Sequence, residues 1–208
     1  MISSNARNIL FHIFDVVLNI VIIIAIVVVI RSFIVSPFQI EGSSMIETLE
    51  NHEYIVINKF RYLFRTPERG DIVVFRPPSD ESKFYVKRVI GLPGDRITVR
   101  DGYVYVRNSS GKDVKLSEPY LGSLNSGKTY RYPVHDGDTT KEVFDVPQGS
   151  YFVLGDNRQG SLDSRSFAHE TGHFSPFVPE DNIKGSVWFV ALPVNKIHAF
   201  QRPVYQID

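Results

Sequence analysis

A membrane-length apolar segment near the N-terminus is the feature that most constrains this chain. The segment runs from about Phe11 to Val35, with Asp15 and Arg31 near its two ends. About 20 consecutive apolar residues are enough to cross the hydrocarbon core of a bilayer as a helix. Asn19 is a polar interruption that a single helix tolerates. We therefore predict one transmembrane helix, with residues 1–35 forming a short stub and the anchor.

Two other interpretations of this segment have to be weighed. A buried helix of a soluble protein would normally show a polar face, and this run of valine and isoleucine has none. A cleavable signal peptide would end in small residues, whereas Val29–Ile34 carries an arginine and bulky side chains. We therefore predict a retained anchor. Charge indicates its orientation only weakly, because Arg7 precedes the segment and Arg31 directly follows it.

Length and composition exclude several classes of protein. A chain of 208 residues holds one moderate domain, or a domain with an insertion. Lysine plus arginine equals aspartate plus glutamate at 23 each, so the clustered basic surplus of a nucleic-acid-binding protein is missing. Cysteine is absent from the sequence, which excludes disulfides, thiolate metal sites and cysteine nucleophiles.

Short β-rich runs bounded by turns predict a mainly antiparallel β fold after the anchor. The predicted strands are Glu53–Phe60, Ile72–Arg76, Phe84–Ile90, Arg96–Arg100, Tyr103–Arg107, Ser150–Leu154 and Gly185–Leu192. Asp101-Gly102 is a strong signal for a two-residue hairpin turn. Between residues 108 and 148 small and polar residues dominate. We therefore predict a main β domain of residues 36–107 and 149–208, with an inserted lobe of short strands and loops at 108–148.

A serine and a lysine are the candidate reactive groups. Ser44 lies just past the anchor, and a serine hydroxyl needs a base to take its proton. The usual base is a histidine oriented by a carboxylate, and the other solution is a lysine kept neutral by burial. Lys87 lies in a strand-like apolar run, where a period of two places Tyr85, Lys87 and Val89 on one face. The alternative is an ordinary loop serine and a solvated strand lysine.

The chain resembles the type I signal peptidases, the membrane-anchored serine–lysine proteases that remove secretory leader peptides. The resemblance rests on four segments that follow the apolar segment in the family's order and covers most of residues 29–190, except the inserted lobe. The segments are Gly42-Ser43-Ser44-Met45, Gly70-Asp71-Ile72-Val73-Val74-Phe75, Tyr85–Asp95, and Gly155-Asp156-Asn157-Arg158 with Ser161, Asp163, Ser164 and Arg165.

The resemblance implies a role for each matching residue. Ser44 would be the nucleophile and Lys87 the general base, and Ser161 would hydrogen-bond the lysine. The backbone N–H of Ser44, aided by the Gly42 region, would form the oxyanion hole. The supporting residues would be Asp156, Arg88, Asp163 and Arg165. As an alternative, these four residues form a surface ion-pair network that contributes little.

The resemblance also implies a substrate and a location. Secretory preproteins with small residues one and three positions before the cut would bind by strand addition. The candidate pocket residues are Ile40, Met45, Leu49, Tyr85 and Val86, all of which could instead be plain core residues. We expect a single-pass protein of the bacterial plasma membrane whose catalytic domain is extracytoplasmic and in contact with the lipid bilayer. No cofactor is predicted.

One residue departs from the family's pattern. The family usually has proline two positions after the Ser-Met pair, and this chain has Glu47 there. A carboxylate near Lys87 would favour the charged ammonium and raise the pKa of the lysine. On that condition, we expect lower activity at neutral pH than a Glu47→Pro variant would show.

Two competing functions remain open at the level of sequence. His169-Glu170-Thr171-Gly172-His173 matches the H-E-x-x-H pattern of zinc proteases. That pattern needs a helix, and Gly172 with Pro176 close behind disfavours one. The other possibility, which Glu47 keeps open, is a catalytically silent, membrane-tethered β module that binds peptides by strand addition.

Overall fold

A long apolar helix precedes a β domain in the computed structural model. The structure describes residues 4–135, 137, 140–167, 169 and 175–207, and only the backbone of residues 4–10, 32, 33 and 63. Helix α1 spans Ser4–Val29 and continues into a π-helical turn, Ile30–Ile34. The stretch Phe11–Val29 has a mean hydropathy of 2.8, is long enough to cross a membrane, and buries none of its surface against the rest of the protein.

The helix also accommodates its polar interruption. The Asn19 side-chain N–H donates to the carbonyl of Asp15 at 2.8 Å, one turn earlier. The amide is therefore partly satisfied within the helix itself, which lowers the cost of placing it in an apolar environment.

Twelve strands in the described part of the chain form two antiparallel sheets. The eight-stranded main sheet comprises β1 (Val35–Gln39), β2 (Tyr54–Asn58), β3 (Ile72–Phe75), β4 (Tyr85–Gly91), β9 (Ser150–Leu154), β10 (Val178–Pro179), β11 (Ile183–Leu192) and β12 (His198–Ala199). The four-stranded second sheet comprises β5 (Arg96–Arg100), β6 (Tyr103–Arg107), β7 (Asp113–Lys115) and β8 (Glu142–Asp145). A short helix, α2 (Ser164–Phe167), follows β9. The predicted fold class, mainly antiparallel β behind one apolar helix, is confirmed.

The order of strands in the main sheet is β1-β2-β11-β3-β4-β9-β10, with β12 pairing β11. Although three strands separate β1 from β4, the ring of Phe38 on β1 lies 5.3 Å from the ring of Phe84, the residue before β4. The sheet therefore curls enough to bring these two strands face to face across a cleft.

The second sheet begins earlier than the composition suggested. The predicted lobe starts at residue 108, but β5 and β6 pair with β8 and β7 respectively, so the sheet includes residues 96–107. The composition shift at 108 marks the lobe's long loops rather than the first strand of its sheet. Between β5 and β6, Asp101 and Gly102 both have positive φ, 52° and 79°, as the predicted hairpin turn requires.

Candidate active site

The loop that carries Ser44 is a compact turn held from both sides. The N–H groups of Thr48 and Leu49 donate to the carbonyl of Met45, which winds the residues after Ser44 into a helical turn. The side chains of Met45 and Leu49 are buried in an apolar cluster beneath the turn. These contacts fix the residues that directly follow Ser44, and the partly buried serine lies at the start of the turn.

Strand β4 places Lys87 against this turn. The lysine is opposite Val73 of β3, and its side chain is only 3% exposed. The Nζ atom is hydrogen-bonded to Ser44 Oγ at 2.7 Å and donates to the carbonyl of Val86 at 2.9 Å. It also lies 5.1 Å from the centre of the Tyr85 ring. The structure thus brings together two residues that are 43 positions apart in sequence.

The environment of Lys87 favours the neutral amine. Burial lowers the pKa of the lysine from 10.5 to about 8, because desolvation disfavours the ammonium form. The carboxylates of Asp163 and Asp156 act in the opposite sense and limit the fall. An amine with a pKa of about 8 is neutral in roughly one molecule in ten at pH 7, compared with roughly one in three thousand for a lysine in water, so it can accept a proton from a hydroxyl.

A buried ion pair lies beside the dyad. Arg88 Nε and Nη2 donate to the two carboxylate oxygens of Asp156 at 2.9 and 2.6 Å. Arg88 Nη1 donates to the carbonyl of Gly70, and the Thr48 hydroxyl donates to Asp156 at 2.6 Å. The pair therefore connects the lysine strand to the Ser44 turn, because Asp156 binds a residue of each.

A second buried pair supports the segment after β9. Arg165 Nε and Nη2 bind Asp163 at 2.9 and 2.8 Å, and Asp163 also accepts the N–H of Gly155 at 3.1 Å. Arg165 further donates to the carbonyls of Tyr130 and Arg158. All four predicted supporting residues are at least 97% buried. The alternative of a surface ion-pair network is therefore wrong.

Two predicted polar roles do not match the geometry. Ser161 is buried, but its hydroxyl has no hydrogen-bond partner among the described residues, so the expected bond to Lys87 is absent. The two bonds of Lys87 go instead to Ser44 and Val86. The N–H of Gly42, expected near the oxyanion, donates to the side chain of Asn51 at 2.9 Å. An N–H that is already bonded is not free to bind an oxyanion in this conformation.

An open cleft of about 530 Å³ contains the dyad. Its lining includes Ser44, Lys87, Ile40, Met45, Tyr85 and Val86, together with Phe38, Phe84 and Leu162, which the sequence did not indicate. Leu49 does not line the cleft. It is fully buried in the apolar cluster under the Ser44 turn, so its assignment to the substrate pocket is corrected to a core position.

Strand edges form both walls of the cleft. Strand β1 lies at the end of the main sheet, and within the described ranges its one partner is β2. On the other wall, β9 pairs with β4 from Arg88 onward, so Tyr85–Lys87 have β3 as their only neighbour among the described strands. Backbone groups on two facing edges are therefore open to hydrogen bonding beside the dyad.

Glu47 is engaged with the second lobe rather than with the lysine. Its carboxylate accepts the N–H of Gly122 at 3.1 Å and the side-chain amide of Asn125 at 2.9 Å. The expected rise in the pKa of Lys87 depended on this carboxylate, but the acidic groups that act on the lysine are Asp163 and Asp156. Glu47 also has φ of +83°, which a proline ring cannot adopt. The expectation of a more active Glu47→Pro variant therefore has no basis in this structure.

Sequence reasoning missed a buried arginine next to the site. Arg158 is fully buried and makes two hydrogen bonds to the carboxylate of Glu118, at 2.9 and 2.6 Å. It also donates to the hydroxyl of Thr129, and its backbone N–H donates to Asn125. The Gly-Asp-Asn-Arg motif could have indicated that this arginine is important. Its partners could not be predicted, because they lie in loops that show no hydrophobic periodicity.

The zinc alternative involves residues that are only partly described. The Nε2 atom of His169 lies 3.3 Å from a carboxylate oxygen of Glu142. The centre of the His169 ring lies 6.1 Å from the centre of the Tyr132 ring. Glu170 and His173 lie outside the described residues. Within the described ranges, no group of three histidine, cysteine, aspartate or glutamate residues is arranged to hold a metal ion.

A serine hydrogen-bonded to a buried lysine, in an open cleft of a β domain, is the arrangement of a serine hydrolase, and here it follows a helix long enough to cross a membrane. Comparison with known proteins agrees. The family model described as "Signal peptidase, peptidase S26" matches residues 13–192. The chain belongs to this signal peptidase family.

Named relatives cover most of the chain. It is 37% identical over 210 residues to signal peptidase I of Rickettsia typhi, covering 81% of this chain and 76% of the relative. It is 39% identical over 186 residues to signal peptidase I U of Bacillus subtilis, covering 88% and 89%. Signal peptidase I of Bacillus caldolyticus is also 39% identical, with 86% and 90% covered. The predicted family and the predicted activity, a membrane serine protease that cleaves signal peptides, are confirmed.

Proposed function

We propose that Ser44 is the nucleophile of this signal peptidase and Lys87 its general base. The observation that carries the proposal is the 2.7 Å hydrogen bond between Lys87 Nζ and Ser44 Oγ inside the cleft. A donor–acceptor pair at this distance is close enough for direct proton transfer. The lowered pKa of the lysine, about 8, supplies the required neutral form.

The proton follows one path through both halves of the reaction. Ser44 Oγ attacks the scissile carbonyl carbon while neutral Lys87 takes the hydroxyl proton. The resulting ammonium gives that proton to the leaving amine as the C–N bond breaks, which leaves an ester on Ser44. Water then attacks the ester with Lys87 again accepting the proton, and the serine hydroxyl is restored. The bond from Nζ to the carbonyl of Val86 keeps the amine aimed at Ser44 throughout.

The substrate is a preprotein whose leader lies extended in the cleft. The free edges of β1 and of Tyr85–Lys87 suit an extended peptide that adds as a strand between them. Because alternate side chains of a strand face the same way, the side chains one and three positions before the cut would contact the same wall of the cleft. Ile40, Met45 and Val86 leave little depth there, which suits small residues.

Cleavage takes place close to the bilayer. Fifteen residues join Val29, the end of α1, to Ser44, which is at most about 50 Å even in an extended chain. Lys59 shortens this path further, because its N–H and Nζ donate to the carbonyls of Ile34 and Arg31 just past the helix. A catalytic domain held in this way on the extracytoplasmic side of a bacterial plasma membrane would meet leaders that are still in the membrane.

The proposal is tested by preprotein cleavage in detergent with matched variants. Ser44→Ala and Lys87→Ala are each expected to abolish cleavage. Ser43→Ala changes the exposed neighbouring serine, and Lys112→Ala removes an exposed lysine of the second lobe. Both are expected to cleave at the rate of the parent. Full activity of Ser44→Ala or of Lys87→Ala would overturn the assignment of that residue.

A further inference from the structure

We infer that Glu47 is a positioning residue that fixes the Ser44 turn by latching it to the second lobe. The inference rests on Ser44 as the proposed nucleophile. Glu47 lies three residues after the serine in the same helical turn, where Ile46 and Thr48 on either side of it bond back to Ser43 and Met45. A movement of Glu47 would therefore be transmitted to the nucleophile.

The backbone of Glu47 shows that its position is imposed from outside the turn. Its φ of +83° lies in the left-handed region, which non-glycine residues adopt at an energetic cost. Such a conformation persists only when surrounding contacts hold it. Among the described residues, the carboxylate oxygen Oε2 accepts two hydrogen bonds, from the N–H of Gly122 and the side-chain amide of Asn125.

The partner side of this latch is rigid. Asn125 is 3% exposed, and its Oδ1 accepts the backbone N–H of Arg158 at 2.8 Å while its amide binds Glu47. Arg158 is itself fixed by Glu118, which lies on the same loop of the second lobe as Asn125. The loop therefore hydrogen-bonds both to the segment after β9 and to the Ser44 turn.

The same loop reaches the strand of the general base. The Tyr120 ring lies 3.8 Å from the guanidinium carbon of Arg88, the residue directly after Lys87. Residues 118–125 therefore contact both halves of the dyad's support, one through Glu47 and one through Arg88. The second lobe thereby controls the distance between Ser44 and Lys87, although none of its described residues lines the cleft.

Gly122 allows the latch to be opened without changing Glu47. A Cβ built on Gly122 would overlap Glu47 Oε1 and lie 2.9 Å from its Cδ. Gly122 does not have a positive φ, so alanine is compatible with its backbone. The Gly122→Ala variant should therefore push the carboxylate away and leave the second lobe folded.

The test compares kcat and KM of preprotein cleavage across a set of variants. Glu47→Ala, Glu47→Gly and Gly122→Ala are expected to lower kcat about tenfold, the factor for losing one or two charge-assisted hydrogen bonds. Their KM values should stay within twofold of the parent. Glu47→Gln, whose amide oxygen can still accept both bonds, should keep kcat within twofold. Glu50→Ala, which removes an exposed carboxylate from the end of the same turn, should match the parent.

Three outcomes of these rate measurements would overturn the inference. The first is an unchanged kcat in Glu47→Ala, or a loss explained entirely by unfolding at the assay temperature. The second is a Glu47→Gly variant with the same kcat as the parent. That result would show that the turn needs only a residue that tolerates a positive φ, and not the hydrogen bonds of the carboxylate. The third is a full additional loss from Gly122→Ala in the Glu47→Ala background, because a shared latch can be opened only once.

The pH profile separates positioning from a direct electrostatic effect on the base. A latch leaves the midpoint of the acid limb of kcat/KM unchanged in Glu47→Gln, whereas a carboxylate acting on Lys87 would shift it downward on removal. A downward shift therefore counts against the latch. Ser44→Ala is run alongside: if it remains active, the proposed nucleophile fails, and if it is inactive while Glu47→Ala is unaffected, only the latch fails.

Discussion

Arg88 and Asp156 form a buried, two-point ion pair, with nitrogen–oxygen distances of 2.9 and 2.6 Å. The arginine follows Lys87 directly, so one strand carries a cation that stays charged next to an amine that is poised to lose its proton. The carboxylate of Asp156 is bound by Arg88 and Thr48, and the pKa of Lys87 falls because burial outweighs the opposing effect of Asp163 and Asp156.

Removing Asp156 should destabilise the whole domain. The Asp156→Ala variant leaves the buried guanidinium of Arg88 unpaired, a change that typically costs about 3–5 kcal/mol. We expect a loss of that size in the free energy of unfolding, measured by urea denaturation in detergent. Asp145→Ala is the matched control, because it breaks an ion pair with Arg96 that lies exposed to solvent. Equal midpoints for the two variants would contradict a structural role for the buried pair.

The pH dependence of cleavage should follow the ionisation of Lys87. The base acts only as the neutral amine, so kcat/KM should be level above about pH 8 and fall about tenfold per pH unit below it. At pH 6 we therefore expect about a hundredfold loss relative to the plateau. The profile is measured with a leader-peptide substrate in detergent, with Lys112→Ala as a control. A flat profile between pH 6 and 9 would be inconsistent with lysine as the base.

The strand pattern around Lys87 was predictable because it is local. A period of two placed Tyr85, Lys87 and Val89 on one face, and in the structure the lysine amine lies over the Tyr85 ring while Tyr85 and Val89 pack in one apolar cluster. Strand positions and the Asp101-Gly102 turn follow from the same short-range rules. Such features depend on neighbours in sequence, which a single chain displays directly.

The contacts made by loops could not be predicted in this way. Glu47 meets Asn125 across 78 positions, and Arg158 meets Glu118 across 40, in segments that have no hydrophobic period. Which side of a turn faces the cleft also depends on how the sheet curls, and so Leu49 was assigned to the wrong side. These relationships arise from tertiary docking, and a motif indicates only that a polar residue is present.

Burial of Lys87 should make the protein less stable at neutral pH than it would be with an apolar residue there. The lysine keeps its proton up to about pH 8 when folded and up to about pH 10.5 when unfolded. Between these values the folded protein binds fewer protons, so stability rises with pH, and below pH 8 the penalty is complete at about 3 kcal/mol.

The Lys87→Met variant tests this linkage. We expect its free energy of unfolding to exceed that of the parent by up to about 3 kcal/mol at pH 7, with the difference shrinking as the pH approaches 10.5. The measurement is urea denaturation of both proteins at pH 7 and pH 10. A variant less stable than the parent at pH 7 would show that the lysine is not penalised by burial.

Gly155 is expected to be indispensable for activity, because the site leaves no room for a side chain there. A Cβ at this position would overlap Ser161 Oγ and lie 2.5 Å from the carbonyl oxygen of Ser44. The Gly155→Ala variant should therefore displace the nucleophile, and a shift of about 1 Å can cost a hundredfold in rate. Gly111→Ala is the control for backbone strain without crowding, since Gly111 has a φ of +81° in an exposed turn of the second lobe and its Cβ would meet no atom within 4 Å. We expect kcat to fall in the first variant and to persist in the second. The reverse result would exclude crowding at the serine.

Leu49 and Val86 should separate stability from leader preference. Leu49 is fully buried under the Ser44 turn, so Leu49→Ala should lower the free energy of unfolding by about 2–5 kcal/mol through the cavity it leaves. Because Leu49 does not line the cleft, the ratio of kcat/KM values for alanine and valine leaders should not change.

Val86 lies in the wall of the cleft and is only partly buried. Val86→Ala deepens that wall, so leaders with valine one or three positions before the cut should gain about tenfold relative to alanine leaders, the usual worth of a methylene-sized space. Both variants are measured with paired peptides that differ only at those positions. A side chain changes selectivity only where the substrate can reach the space that it vacates. If Leu49→Ala relaxed the preference for small residues and Val86→Ala did not, the assignment of Leu49 to the core and of Val86 to the cleft would therefore be wrong.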